Sequence, residues 1–210
     1  ILLLGPTAVG KTNLSLELAR QLDAEIISTD SRQCYKYMNI GTATPTEEER
    51  SGIPHYNLSI IDPATKDNVM NFYERAQQWE RDIKSRDKNV LYVGGSTLHV
   101  QCAIQPLDDV PEANEENIAQ LEEQIDESGI ASLYEKLQEV DPQYAQNMDG
   151  MNTQRIVRAL DVCMQTGRPF TSFHSDDDGI TVPEDMLVFG LERDRQKLYD
   201  RINRRTDQMF

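Results

Sequence analysis

A glycine-rich segment close to the first residue constrains the possible folds more than any other feature of this sequence. Residues 5–12 fit the phosphate-loop pattern G-x-x-x-x-G-K-S/T, with Gly5, Gly10, Lys11 and Thr12 at its fixed positions. A short apolar run precedes the segment, and leucines at intervals of four residues follow it. This order of strand, loop and helix is typical of an open α/β sheet that binds an anion at the helix amino end. An ordinary tight turn is the alternative interpretation.

The loop predicts a chemistry rather than a particular ligand. Glycines allow the backbone amides to turn toward anionic oxygens, and Lys11 adds a positive charge at the terminal phosphate. The hydroxyl of Thr12 is a suitable ligand for Mg²⁺, which is therefore the expected metal cofactor. This geometry does not require ATP, because any diphosphate would fit it.

Strand and helix patterns alternate over the first hundred residues, as βαβ units require. Phe72, Ala76, Trp79 and Ile83 recur at helical spacing. Apolar runs predict strands at residues 1–4, 25–29, 89–93 and 186–191. The predicted fold class is therefore α/β, with a P-loop NTPase-like parallel sheet flanked by helices.

A long helical pattern interrupts that sheet. Residues 111–167 are helical in pattern throughout, and an acidic loop follows at residues 175–179. We predict a first part of the core at residues 1–110, an inserted helical lobe at 111–170, and a return to the sheet with the start of carboxyl-terminal helices at 171–210. The chain starts without Met and stops within a helical pattern, so further residues are expected at both ends.

The charge of the chain argues against a protein that coats nucleic acid without specificity. Its 36 acidic and 21 basic residues give a formal net charge of −15, whereas phosphate binding needs a local excess of Lys and Arg. The distribution is uneven, however, because residues 112–146 are acid-rich and residues 193–205 are basic. The sequence is therefore also consistent with a local basic patch on an acidic protein.

Composition also limits the compartment and the membrane relationship. No apolar run reaches the length of a membrane span, and the opening apolar run is too short for a signal peptide. The 3 cysteines are widely spaced and form no metal-binding pair, which indicates a reducing compartment. The sequence therefore predicts a cytoplasmic protein that does not bind membranes and has no zinc site.

Asp30 directly follows the second predicted strand. A carboxylate at that end of a strand, beside a phosphate loop, lies in the crevice where open α/β sheets bind ligands. Asp30 could ligate Mg²⁺ through water or act as a general base. The alternative is that Asp30 only caps a turn that contains Ser31.

Six motifs in order along the chain resemble those of the bacterial-type tRNA dimethylallyltransferases. They are GPTAVGKT, DSRQCYKYMNIGTATPT, GIPHY, VGGSTL, NTQRIVRALDV and LYDRINRRTDQM. The resemblance implies a P-loop sheet with a helical insertion. It also implies transfer of a dimethylallyl group from dimethylallyl diphosphate to N6 of the adenosine that follows the anticodon, position 37. The implied partner is the anticodon loop of tRNA, and a monomer is expected.

The resemblance also assigns roles to residues. It implies catalytic roles for Asp30, Ser96 and Lys11, with Asp30 as the base that takes the N6 proton. It implies diphosphate binding by Gly5, Pro6, Thr7, Ala8, Val9, Gly10, Lys11, Thr12, Arg201 and Arg205. It implies tRNA binding by Asp30, Ser31, Arg32, Gln33, Gln154, Arg155, Ile156, Val157 and Arg158. Thr12 is the implied metal ligand.

Two features temper these assignments. Ser96 stands where the family usually has Thr, and it keeps the hydroxyl. Gln154, Arg155 and Arg158 lie opposite a predicted apolar helix stripe, and such residues in most proteins form a solvated face. Two further functions remain as alternatives: a P-loop small-molecule kinase that uses ATP, and a non-catalytic module that binds nucleotide.

Overall fold

A computed structural model describes residues 1–105, 108–174, 180–207 and 209 of the chain. The chain divides into two compact units. The first unit consists of Ile1–Leu107 and Ile180–Phe210, and the second of Asp108–Gly179. The acidic loop predicted at residues 175–179 lies outside the described residues.

The first unit is built on a sheet of five parallel strands in the order β3-β2-β4-β1-β5. These strands are β1 (Leu2–Leu4), β2 (Ala24–Ser28), β3 (His55–Tyr56), β4 (Asn89–Gly94) and β5 (Val188–Gly190). In the register of the sheet, Leu2 pairs with Tyr92 on one side and with Val188 on the other. The last strand of the chain thus completes the sheet beside the first.

Helices of the first unit cover both faces of this sheet. In chain order they begin with α1 (Lys11–Gln21), α2 (Asn39–Thr42), α3 (Glu47–Arg50), α4 (Val69–Lys84) and α5 (Thr97–Ile104). Leu2 and Ile27 pack in one cluster with Phe72 of α4, and Leu3 and Ile26 pack in another with α1. Because successive strand residues point to opposite faces, a sheet covered on both sides needs continuous apolar strands.

The second unit is helical. It contains α6 (Glu115–Ser128), α7 (Ile130–Val140), α8 (Pro142–Asn147) and α9 (Thr153–Thr166), followed by a 3₁₀ turn at Phe170–Phe173. Its own core includes Leu121, Leu133, Leu137, Ile156 and Val162. The side chain of Asn152 accepts a hydrogen bond from the amide of Arg155 and caps α9. The chain then returns to the first unit through β5 and α10 (Arg195–Asp207).

The fold class predicted from sequence is confirmed. Each predicted strand exists, with shifts at its ends of one or two residues. The short edge strand β3 was not predicted, and neither were helices α2 and α3. Within the described part of the chain, no helix has the length and apolarity needed to cross a membrane.

Candidate active site

The phosphate loop joins β1 to α1 and is held in shape by its neighbours. Gly5 and Gly10 have φ angles of 153° and 120°, which disfavour side chains. A Cβ on Gly5 would lie 2.9 Å from the carbonyl oxygen of Leu191, so the segment after β5 leaves no room for one. Val9 of the loop is buried. The loop is therefore preformed, with the amino end of α1 open to an anion.

Lys11 lies across this loop. Its Nζ donates to the carbonyl oxygens of Gly5 and Pro6 at 2.7 and 2.9 Å. Burial lowers the pKa of Lys11, the carboxylate of Asp30 partly opposes this effect, and Arg205 adds to the lowering. The charges of Asp30 and Arg205 are therefore close enough to affect the lysine. The three groups share one cleft, of about 500 Å³.

Asp30 lies two residues after the end of β2 and starts a turn. Its Oδ1 accepts hydrogen bonds from the amides of Arg32 and Gln33 at 2.8 and 3.2 Å. Its Oδ2 accepts none from the described residues, and the residue is half-buried in the wall of the cleft. Asp30 thus caps its turn with one oxygen and leaves the other open, so capping and catalysis are compatible roles.

The turn after β4 contacts both the phosphate loop and the turn that starts at Asp30. The amide of Ser31 donates to Oγ of Ser96 at 3.0 Å, and the two serine hydroxyls are 3.2 Å apart. A Cβ on Gly95 would lie 2.8 Å from the carbonyl oxygen of Gly5, which explains the glycine by close approach of two backbones. The hydroxyl of Ser96 therefore positions the Asp30 turn, and its direct part in catalysis stays a prediction.

Two arginines of the segment after β5 donate hydrogen bonds to the phosphate loop, and a third lines the same cleft. Nε of Arg201 donates to the carbonyl oxygen of Ala8 at 2.6 Å, and Nε of Arg193 donates to that of Val9 at 3.1 Å. Arg205 donates to the carbonyl oxygen of Thr42 at 3.1 Å, and its buried Nε has no hydrogen-bond partner among the described residues. Arg193 was not predicted, although the basic composition of residues 193–205 was a signal for it.

Thr12 is exposed at the start of α1 and lines the same cleft as Asp30. Among the described residues, no group of three or more His, Cys, Asp or Glu side chains could hold a metal ion by itself. One hydroxyl and one carboxylate suit Mg²⁺, which keeps several waters and takes most of its protein contacts through substrate phosphates. The residues present therefore fit a Mg²⁺ ion that arrives with a phosphorylated ligand.

Two of the predicted tRNA contacts near Asp30 differ in their surroundings. Arg32 is exposed. Gln33 instead is bound internally, because its Nε2 donates to the carbonyl oxygens of Thr42 and Ala43 at 3.3 and 3.1 Å. Gln33 therefore joins the Asp30 turn to α2, and Arg32 keeps a free surface.

The predicted tRNA contacts on α9 need a correction. Gln154 and Arg155 are exposed, but the side chains of Ile156 and Val157 are 0% and 7% exposed in the core of the second unit. Burial excludes those two side chains from contact with an external partner. The remaining member of the set, Arg158, has partners inside the unit.

Arg158 forms an ion pair with Asp161 at 2.7 Å and donates a hydrogen bond to the carbonyl oxygen of Pro111. Asp161 is fully buried and also accepts hydrogen bonds from Asn117 and Gln165. This network fastens the segment before α6 to α9. A structural role therefore accounts for Arg158, and RNA contact by it stays a prediction.

The fold and the cleft define a phosphate-binding α/β protein of the P-loop class. Residues 33–210 match the family model of the IPP transferases. The tRNA dimethylallyltransferase of Clostridioides difficile (strain 630) is 41% identical over 213 residues, and that of Sulfurihydrogenibium sp. (strain YO3AOP1) is 41% identical over 210. Both alignments cover 100% of this chain and 67% of the relative. The chain belongs to the tRNA dimethylallyltransferase family, whose members are prenyltransferases.

Solved structures agree with this assignment. The full-length tRNA isopentenylpyrophosphate transferase from Bacillus halodurans is similar with a TM-score of 0.63 and 38% identity, over 99% of this chain and 64% of that one. A eukaryotic dimethylallyltransferase acting on tRNA is similar with a TM-score of 0.83 and 27% identity, over 99% of this chain and 52% of that one. The chain thus spans about half to two thirds of these relatives. The comparisons favour a prenyltransferase over the kinase alternative.

Proposed function

We propose that this protein transfers the dimethylallyl group of dimethylallyl diphosphate to N6 of the adenosine that follows the anticodon, position 37, in tRNA. The observation that carries the proposal is the open Oδ2 of Asp30, in the same cleft as a preformed phosphate loop. A base and a site for a leaving diphosphate are what this transfer needs. Family membership supports the choice of donor and acceptor.

The donor's diphosphate would occupy the phosphate loop. The loop amides face the anion, and Lys11, Arg201 and Arg205 add positive charge around it. The buried, unpaired Nε of Arg205 is a hydrogen-bond donor that an anionic ligand would satisfy. Thr12 and the diphosphate oxygens would hold Mg²⁺, which when bound helps neutralise the leaving group.

The acceptor is a weak nucleophile, because the lone pair of N6 is delocalised into the adenine ring. In the proposed reaction N6 forms a bond to C1 of the dimethylallyl group, while the bond between C1 and the diphosphate oxygen breaks. The electron pair leaves with the diphosphate, and the N6 proton passes to Oδ2 of Asp30. Capping of Oδ1 by two amides fixes the direction of the carboxylate.

The adenosine has to leave the base stack before N6 can be aligned for attack. Proteins read unpaired anticodon-loop bases through stacking and hydrogen bonds to base edges. Arg32 beside Asp30 and the exposed pair Gln154 and Arg155 on α9 are the residues that we assign to tRNA binding. We expect the protein to act as a monomer in the cytoplasm, where tRNA is found.

The test is a reaction of the full-length protein with labelled dimethylallyl diphosphate, Mg²⁺ and tRNA, in the absence of nucleotide. Digestion and mass spectrometry should find one prenylated adenosine, next to the anticodon. The matched control replaces the donor with ATP. Stoichiometric consumption of ATP without prenyl-adenosine would support the kinase alternative and refute the proposal.

A further inference from the structure

Three neighbouring apolar side chains near the active cleft are exposed to an unusual degree. Tyr37, Met38 and Ile40, here called the apolar tip, have 85%, 50% and 73% of their surface exposed. Single exposed apolar residues are ordinary on protein surfaces, but several close together mark an interaction site. None of the three side chains is among those that line the cleft of Asp30 and the phosphate loop.

The apolar tip is held in place rather than loose. Before it, the amide of Lys36 donates to the carbonyl oxygen of Ile61 at 2.8 Å, within a parallel bridge between Tyr35 and Ile61. After it, Oγ1 of Thr42 donates to the carbonyl oxygen of Met38 at 2.9 Å. Both ends of the segment are therefore fixed, so the exposure of its side chains belongs to the folded state.

Tyr37 has a φ angle of 66°, in the left-handed region that disfavours residues with a Cβ. Glycine would be the residue of lowest conformational cost at such a position. The chain instead places a large aromatic side chain there and exposes it. A strained, exposed aromatic residue is explained more readily by binding than by folding, since it contributes no burial.

The apolar tip is connected to the proposed catalytic base through Gln33. The amide of Gln33 donates to Asp30, and the side chain of Gln33 donates to the carbonyl oxygens of Thr42 and Ala43. One residue thus holds both the base and the far end of the tip segment. The turn that carries Asp30 and the segment that carries the tip are therefore joined through this one side chain.

The surrounding charges indicate the kind of ligand. Arg32 and Lys36 flank the tip in sequence. In a chain of net charge −15, these two cations suit a polyanion. An exposed aromatic ring beside cations is the combination that binds unpaired bases by stacking while the cations contact phosphates.

We propose that the apolar tip is a stacking surface for an unpaired anticodon-loop base that neighbours the adenosine held at Asp30, with Tyr37 as the stacking residue. The proposal rests on the proposed function and specifies how the same site binds its RNA. It makes the tip a determinant of RNA affinity that has no part in donor binding or in the chemical step.

The test compares Tyr37→Gly, Tyr37→Phe and the wild type in the full-length protein. Tyr37→Gly suits the φ angle of this position and should therefore fold, whereas Tyr37→Phe keeps the ring. The RNA probe is an anticodon stem-loop with 2-aminopurine at each loop position in turn, and anisotropy at fixed salt gives the affinity. Tyr37→Gly should weaken RNA binding by about 5- to 100-fold, and Tyr37→Phe should bind within about 3-fold of the wild type.

Leu22→Ala is the matched control. Leu22 is 36% exposed and precedes β2, whereas Asp30 follows it, so the two lie at opposite ends of that strand. This variant should bind the RNA normally. In the wild type, one 2-aminopurine position should lose fluorescence on binding, and Tyr37→Gly should remove that quenching. Binding of dimethylallyl diphosphate should be unchanged in all variants.

Three outcomes would overturn the proposal. Wild-type RNA affinity and quenching in Tyr37→Gly would show that no base stacks there. A dimer in analytical ultracentrifugation that Tyr37→Gly abolishes, with RNA affinity unchanged, would make the tip an interface between copies. Failure of the wild type to bind the stem-loop would remove this proposal and the proposed function together, whereas failure of the variant alone to lose affinity would leave the proposed function in place.

Discussion

Arg201 in the first unit and Arg158 in the second resemble each other in sequence, since each lies on a basic face of an amphipathic helix. Arg201 donates to the carbonyl oxygen of Ala8 in the phosphate loop and lines the open cleft. Arg158 pairs with Asp161, which is fully buried, and donates to Pro111. The same residue type thus contacts the phosphate loop in one unit and holds packed segments together in the other. The difference comes from the group that each guanidinium contacts, which is a backbone carbonyl of the phosphate loop for Arg201 and a buried carboxylate for Arg158.

The phosphate loop made the anion site of the first unit predictable from sequence. Its motif specifies a backbone shape, and that shape alone creates an anion site. A helix face with arginines specifies only that cations lie on one side, and tertiary neighbours decide whether they face solvent, ligand or a buried carboxylate.

Replacement of Asp30 by Asn should have the largest effect on activity. The amide keeps the shape and can still accept hydrogen bonds from Arg32 and Gln33, but it cannot take a proton. Single-turnover prenylation should fall by about 10²–10⁴-fold, with little change in the affinity for donor or tRNA. Rates should be measured across a Mg²⁺ titration. Recovery of donor binding at high Mg²⁺ would indicate a metal ligand instead, and a wild-type rate throughout would exclude both roles.

Arg158→Ala should act mainly on stability. It leaves the carboxylate of Asp161 buried without its ion-pair partner, and Arg158 itself is one-third exposed, so we expect a loss of about 2–3 kcal/mol in the free energy of unfolding. Denaturant unfolding of Arg158→Ala, and of the double variant Arg158→Ala with Asp161→Asn, measures this loss of stability. The double variant should recover part of the loss. A stable Arg158→Ala with weakened tRNA binding would restore the RNA role predicted from sequence.

Arg155→Ala is the counterpart on the same helix. Because the side chain of Arg155 is exposed, its removal should leave the free energy of unfolding within about 0.5 kcal/mol. If it contacts a tRNA phosphate, affinity should fall by roughly 1 kcal/mol, and the slope of log affinity against log salt should fall by about 1. An unchanged salt slope would show that this face of α9 is a solvated surface that does not contact tRNA phosphate.

Arg193→Ala should affect ligand binding about as much as Arg155→Ala does. The variant loses one hydrogen bond to the carbonyl oxygen of Val9, at 3.1 Å, so the phosphate loop becomes less restrained. Donor binding measured by calorimetry should weaken by about 3- to 10-fold, with tRNA binding unchanged. Arg195→Ala is the control, since Arg195 contacts Tyr199 on the surface of α10. Equal effects of the two variants would mean that Arg193 contributes only general charge.

Periodicity predicted the parts of the fold that bury continuous apolar runs. β1, β2 and β4 were predicted because both of their faces are covered by apolar side chains, and the helical pattern of residues 111–167 reflects a core that includes Leu121, Leu133 and Leu137. β3 was missed because His55–Tyr56 forms only a two-residue edge strand whose side chains are half-buried, so it carries no apolar signature. The outer helices α2 and α3 are too short to show a helical period.

The phosphate loop, the position of Asp30 just after a strand, and the family could all be predicted from local sequence patterns. A glycine loop between a strand and a helix specifies its own geometry. Which arginines reach the loop, and how the oxygens of Asp30 are used, depends on long-range contacts. Arg193 and Val9 are 184 residues apart in sequence, and Arg201 and Ala8 are 193 apart. Contacts over such distances depend on β5 pairing beside β1, and a linear pattern carries no record of that pairing.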